Sequence, residues 1–249
     1  EAAPLTELMA RAAKYYKEQL KASQKAIDYL KGRGLTGEIA ARFGLGYAPD
    51  GWQNLAAVFP EYQNKALVDC GLVIEGDAGK RYDRFRDRIM FPILDGRGNV
   101  IGFGGRVIGQ GEPKYLNSPE TPLFEKGREL YGLTQARVAI RGEDCVIVVE
   151  GYMDVVALAQ HGVGNAVATL GTATTPTHVH KLLRQADRVI FCFDGDNAGR
   201  KAAARALEAS LEQVADNKTV AFLFLPPEDD PDSYVRANGA EAFRKLARQ

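Results

Sequence analysis

The segment Cys145-Val146-Ile147-Val148-Val149 runs directly into Glu150-Gly151-Tyr152-Met153-Asp154. A short, fully apolar run followed by a helical pattern over 152–161 predicts a strand buried on both faces, then a helix. The same grammar recurs three times. Asn165–Leu170 reads as a second strand with a helix at 176–186, and Arg188–Phe193 as a third with the Ala-rich segment 197–214 as its helix. Thr219–Leu225 reads as a fourth strand, and short helices close the chain. Apolar strands alternating with helices predict an α/β unit over 141–249, a mostly parallel four-stranded sheet with helices on both faces.

The acids fall where such a sheet places its ligands. Glu150 follows the first strand and Asp154 lies one helical turn later; Asp194 and Asp196 end the third strand, and Asp230 and Asp232 follow the fourth. Open α/β sheets bind ligands outside the carboxyl ends of their strands, so three acidic pairs distant in sequence converge on one edge. Crowded carboxylates repel one another unless divalent cations lie between them. Hard oxygen donors without His or Cys favour Mg²⁺ or Mn²⁺ over zinc, and two or more such ions suit phosphoryl transfer. Each pair also has a structural reading: Asp196 as a helix cap, and Asp230-Pro231-Asp232 as a cap with proline at the first helical position. Their coincidence at three strand ends favours the metal reading. His178 and His180 flank Val179 with no third soft ligand nearby, which argues against a metal there.

Upstream, residues 1–140 read as an α+β subdomain. Apolar residues from Leu5 to Leu30 recur at helical spacing and predict one long amphipathic helix over 5–31, stopped by Gly32 and Gly34. Thr36 caps a short helix to about Phe43, ended by Gly44. Two more short helices are expected at 52–58 and 62–70. Leu72–Ile74, Arg88–Leu94 and Val100–Ile108 read as strands, with Asp95-Gly96-Arg97-Gly98 as a hairpin turn. Residues 109–128 read as a long functional loop, and the seam between the halves falls near 130–142.

The 249 residues carry 32 Lys+Arg against 32 Asp+Glu, 45% hydrophobic residues and three scattered cysteines. That balance suits one or two soluble domains and excludes a disulfide framework. No apolar run is long enough for a membrane span and no signal peptide is present, so a cytoplasmic protein is expected. Glu1 stands where an initiator Met would, so an excised fragment of a longer chain is expected. The neutral total hides a gradient: residues 78–128 carry a local net of +4 and residues 141–249 a net of −3. A basic half joined to an acidic half suits a polyanion held beside a metal site.

Val148-Val149-Glu150-Gly151-Tyr152-Met153-Asp154 and Phe193-Asp194-Gly195-Asp196-Asn197-Ala198-Gly199-Arg200 together resemble the Toprim signature. Arg81-Tyr82-Asp83-Arg84-Phe85-Arg86, Ile101-Gly102-Phe103-Gly104-Gly105-Arg106, Lys114-Tyr115-Leu116-Asn117-Ser118-Pro119 and Lys126-Gly127-Arg128 narrow the resemblance to the catalytic core of the bacterial replicative primases. The resemblance implies an enzyme that makes short RNA primers from ribonucleoside triphosphates on single-stranded DNA, at the replication fork. It implies Glu150, Asp194 and Asp196 as the main catalytic metal ligands and Asp154, Asp230 and Asp232 as supporting acids. It also implies Arg106, Lys114, Asn117, Lys126 and, more weakly, Arg33 as nucleotide- and template-facing residues. The family's zinc-binding domain and its domain for the replicative helicase are not seen in these residues, so no zinc is expected. The helical subdomain that closes the family's polymerase core is likewise not seen.

Other readings are a Toprim nuclease or topoisomerase, a nucleotide-binding regulator with a degenerate site, and a receiver or haloacid-type phosphotransfer domain. A topoisomerase needs a tyrosine nucleophile in a further domain, and a regulator need not keep six acids. A phosphotransfer domain needs an acceptor Asp where Glu150 stands.

Overall fold

The computed structural model describes residues 2–249, in two compact units that divide between Glu125 and Lys126. In the first, α1 (Ala2–Ala22) and α2 (Gln24–Gly32) replace the single helix expected over 5–31. Ser23 breaks the run: its backbone is extended, and its hydroxyl accepts from Ala26 N at 3.2 Å as an N-cap. Apolar spacing continues across a break of one residue, so periodicity alone does not reveal it. Helix α3 (Gly37–Phe43) starts at Thr36, whose hydroxyl accepts from Ile39 N, and ends at Gly44 with φ +65°.

Strand β1 (Gly46–Ala48), a 3₁₀ turn at Asn54–Ala57 and α4 (Lys65–Asp69) follow, then β2 (Val73–Glu75) and β3 (Arg81–Asp83) as an antiparallel pair. Strands β4 (Arg88–Leu94), β5 (Val100–Val107) and β6 (Tyr115–Asn117) complete an antiparallel sheet in the order β1-β4-β5-β6. The Asp95 carboxylate shapes the β4–β5 turn by accepting from Arg97 N and Asn99 N, both at 2.9 Å. Helix α1 packs so closely on β1 that a Cβ at Gly46 would meet Tyr16 Cβ at 2.6 Å. Met9, Tyr16, Phe59, Phe85 and Phe103 form the core above the sheet.

The expected structureless loop at 109–128 in fact holds β6. Arg88 fixes its start: the buried guanidinium donates to Gly105 O, Lys114 O and Pro113 O at 3.2, 3.2 and 2.6 Å.

Asp83, buried at the end of β3, accepts from Tyr62 Oη at 2.9 Å and Leu55 N at 3.2 Å. Burial outweighs these bonds and lifts its pKa from 3.8 to about 6. The folded chain therefore binds this proton more tightly than the unfolded chain. The stabilisation is full below about pH 4 and is lost as pH rises through about 6. The stability of the wild type relative to Asp83→Asn should accordingly fall between pH 5 and pH 7.5, read from urea midpoints. A difference independent of pH would contradict this.

The second unit contains α5 (Leu133–Glu143), β7 (Cys145–Val149), α6 (Tyr152–Gln160), β8 (Ala166–Ala168) and α7 (Pro176–Leu183). After these come β9 (Arg188–Phe193), α8 (Asn197–Ser210), β10 (Thr219–Phe224), α9 (Pro231–Asn238) and α10 (Ala240–Ala247). All strand pairs are parallel, in the order β10-β9-β7-β8. The residues read as a seam near 130–142 hold α5. Tyr131 exchanges backbone hydrogen bonds of 2.8 and 3.1 Å with Ala168, which ties the stretch before α5 to β8 and moves the contact boundary ahead of residue 141. His178 is structural: it forms a capping box with Thr175 and its Nε2 lies 2.9 Å from Lys126 O. Among the described residues, no helix is long and apolar enough to cross a membrane.

Candidate metal centre and basic cluster

Glu150 follows β7 and Asp194 follows β9, so two adjacent parallel strands deliver these acids to the same sheet edge. Asp194 N points at Glu150 Oε2 across 3.5 Å. Asp154 stands in the first turn of α6, and its Oδ1 accepts from Asp232 N at 3.1 Å, linking that turn to the start of α9. The remaining two acids take the capping role that the sequence also offered. Asp196 caps α8 by accepting from Gly199 N at 2.7 Å, and Asp230 caps α9 by accepting from Ser233 N at 2.7 Å. Each cap uses one carboxylate oxygen, Oδ1.

Two glycines set this geometry. A Cβ on Gly195 would lie 2.2 Å from Leu225 O, and one on Gly199 would lie 1.8 Å from Asp194 O. The backbone after β9 is thus pressed against both the backbone after β10 and the first turn of α8, and only glycine admits either approach.

Electrostatics tie the acids together. Burial, then the charges of Glu150, Asp230 and Asp196, raises the Asp194 pKa to about 6. Burial and then Asp230, Asp194 and Asp232 push Asp154 well above the carboxylate range, and burial with Asp196 raises Glu150. Even the Cys192 thiol inside β9 is pushed up by burial and by Asp154, Asp194 and Glu150.

Asp232 is paired with Arg236 at 3.0 Å. Among the described residues, no basic side chain is paired with the other five acids. Mutually repelling carboxylates without cationic partners, half-buried at Asp154 and Asp194 and open to solvent at Glu150, Asp196 and Asp230, fit divalent ions as compensating charge, and an all-oxygen donor set suits hard ions. No three His, Cys, Asp or Glu side chains among the described residues already form a closed metal cage. The edge is a convergence of acids rather than a finished coordination shell.

The first unit brings a different group together. Arg106, on β5, donates to Val107 O, and its guanidinium lies 5.5 Å from the Tyr29 ring and 5.8 Å from the Tyr115 ring. Lys114 Nζ lies 5.7 Å from the Tyr115 ring. Burial raises the Tyr115 phenol, and Arg106 and Arg33 oppose that rise, so both cations act on this ring. Asn117 sits on β6 opposite Gly104; its carbonyl accepts from Arg84 Nη2 at 2.6 Å, while its buried Oδ1 has no hydrogen-bond partner. Lys126 belongs to the second unit.

Sequence reasoning missed the scaffold of this group. Half-buried Arg84 and buried Arg88 serve as donors to backbone, and the only hint was a cation placed within or beside a strand pattern. Tyr29 came from a helix read for its apolar face alone. Also missed was an exposed stack in which the Arg86 guanidinium lies 4.1 Å from the ring centroid of Trp52, itself 65% exposed. Those two residues are far apart in sequence and no spacing links them.

Residues 15–137 match the family described as the DNA primase catalytic core, N-terminal domain, and residues 144–222 match the Toprim domain, a module that binds divalent metals. The DNA primase of Pseudomonas aeruginosa is 60% identical over 247 residues, covering 97% of this chain and 37% of that protein. The chain thus spans under half the length of such relatives. A crystal structure of a DNA primase domain from Pseudomonas aeruginosa superposes with a TM-score of 0.93 at 58% identity, over 99% of this chain and 78% of that one. A primase catalytic domain solved bound to single-stranded DNA matches at 49% identity and a TM-score of 0.92, over 98% and 80%. The chain belongs to the bacterial DNA primase family and carries that family's catalytic-core N-terminal domain followed by its Toprim domain.

Proposed function

We propose that this chain joins ribonucleotides into short RNA primers on single-stranded DNA. The single observation that carries the reading is the set of uncompensated acids at the ends of β7 and β9, in a chain of this family. Glu150, Asp194 and Asp196 would hold two or more Mg²⁺ or Mn²⁺ ions, with Asp154, Asp230 and Asp232 steadying the edge. When bound, such ions would lower the pKa of a 3′-hydroxyl attacking the α-phosphate and neutralise the pyrophosphate that leaves. No side chain need act as nucleophile.

The division of labour follows the charge: residues 1–140 guide template and nucleotide, and residues 141–249 hold metal. Arg106, Lys114 and Arg33 supply cations around Tyr115, a ring able to stack on a base, while Asn117 offers an unused buried acceptor. Lys126, in the second unit, is a further proposed nucleotide-facing cation. The Trp52–Arg86 stack offers a further sequence-tolerant face for template bases. The replicative helicase would be engaged by another part of the longer protein.

The deciding experiment is template-dependent incorporation of labelled ribonucleotides by the whole chain. Product that requires both template and divalent ion supports the reading; cleavage of the template without incorporation would favour a nuclease. Arg106→Ala and Lys114→Ala should weaken template or nucleotide binding without unfolding the protein. Each lost contact to a single-strand phosphate should flatten the slope of log K against log salt by about 0.7. Unchanged slopes and unchanged nucleotide affinity in both variants would leave the cluster a purely structural one.

A further inference from the structure

A cavity of about 390 Å³ opens beside Glu150 in the second unit, between the segment after β8 and one flank of α8. Thr169, Thr172 and Thr174 line it from the segment Thr169–Thr174, and Lys201 and Arg205 line it from α8, one turn apart. Among the described residues, neither cation has an ion-pair partner, and none of the three hydroxyls makes a hydrogen bond. Several other cations of the second unit are committed to ion pairs. Lys181 is paired with Glu129, Lys218 with Asp187 and Arg244 with Glu143. Two uncommitted cations and three uncommitted hydroxyls lining one recess match the needs of a phosphate group, which accepts several hydrogen bonds and carries negative charge that the cations would compensate. The recess also has Glu150 in its wall, so an anion seated there lies next to the proposed metal edge.

We infer that this recess is a phosphate subsite, in which Lys201, Arg205 and the Thr172 and Thr174 hydroxyls hold a phosphate of a nucleotide or of an RNA strand beside Glu150. The inference rests on the proposed polymerase reading for its biological ligand, though not for its chemistry. Lys201 and Arg205 act here as binding and positioning residues, since Glu150 and its partners occupy the reacting edge. The Glu150 charge opposes an anion, so binding should strengthen with Mg²⁺ present.

The test is equilibrium binding to the whole chain of three probes: inorganic tripolyphosphate, ATP, and a short 5′-hydroxyl RNA oligomer, each with and without Mg²⁺. The variant Lys201→Gln/Arg205→Gln should lose about tenfold in affinity for tripolyphosphate. Thr172→Val/Thr174→Val should lose affinity without any change in the salt slope, because it removes hydroxyls and no charge. Loss for ATP but not RNA assigns a free nucleotide; loss for RNA but not ATP assigns a strand phosphate. The control Lys245→Gln/Arg248→Gln removes the same charge from exposed positions on α10 and at its C-cap. Equal losses in the control, unchanged affinities in both recess variants, or no measurable wild-type binding of any probe would overturn the subsite. Failure of ribonucleotide incorporation with this binding intact would count against the polymerase reading alone.

Discussion

Asp194→Asn should reduce templated incorporation by at least ~10²-fold, about 2.7 kcal/mol of barrier, while the chain stays folded. The substitution keeps shape and removes one negative charge from an edge where burial and Glu150 already hold Asp194 at about pKa 6. Relief of that repulsion should leave the variant equal or higher in stability in chelator. In the wild type, ~10 mM Mg²⁺ acting on a site with an assumed dissociation constant of ~1 mM should add about 1.4 kcal/mol. That corresponds to a melting point roughly 3–6 °C higher for a chain of this size. The variant should show little of this shift at matched ionic strength, which controls for general screening. Wild-type incorporation by Asp194→Asn would remove Asp194 from the site.

Gly199→Ala should be the most damaging change that alters no functional group. The added Cβ would meet Asp194 O at 1.8 Å, a backbone atom that cannot step aside. Overpacking of this kind costs about 1–3 kcal/mol or more, against a gain of at most ~1 kcal/mol in helix propensity. The clash wins, and its relief displaces the backbone that carries Asp194 and Asp196, so activity should fall with stability. Gly142→Ala on α5 is the matched control, since its Cβ would meet nothing within 4 Å. That change should be neutral or slightly stabilising. A Gly199→Ala protein with wild-type melting point and incorporation would contradict the tight approach of α8 to the end of β9.

The α/β half was the more legible because its strands are buried on both faces and therefore spell themselves as apolar runs. Arg188–Phe193 is bounded as its sequence suggests, and the acids stand where those runs stop. The first half was legible where a cap or turn has local chemistry, as at Thr36 and Asp95–Asn99. It was illegible where pairing makes the structure. Strands β1 and β6 are three residues each and are strands because β4 and β5 offer them an edge. The break at Ser23 costs one residue and leaves the apolar spacing almost untouched. At the site, sequence found the charges but not their setting. The approach of Arg106 to the rings of Tyr29 and Tyr115, and the grip of Arg84 and Arg88 on the β6 segment, depend on contacts between residues distant along the chain.

The central claim is that the acids after β7 and β9 bind divalent metal. Crystals of the whole chain soaked in Mn²⁺, with anomalous scattering recorded, test it most directly. At least one manganese peak is expected within coordination distance, about 2.0–2.3 Å, of carboxylate oxygens drawn from Glu150, Asp194 and Asp196. Asp194→Ala crystals should lose or weaken that peak. Manganese bound only elsewhere, or an edge left without a peak in wild-type crystals saturated with the ion, would contradict it.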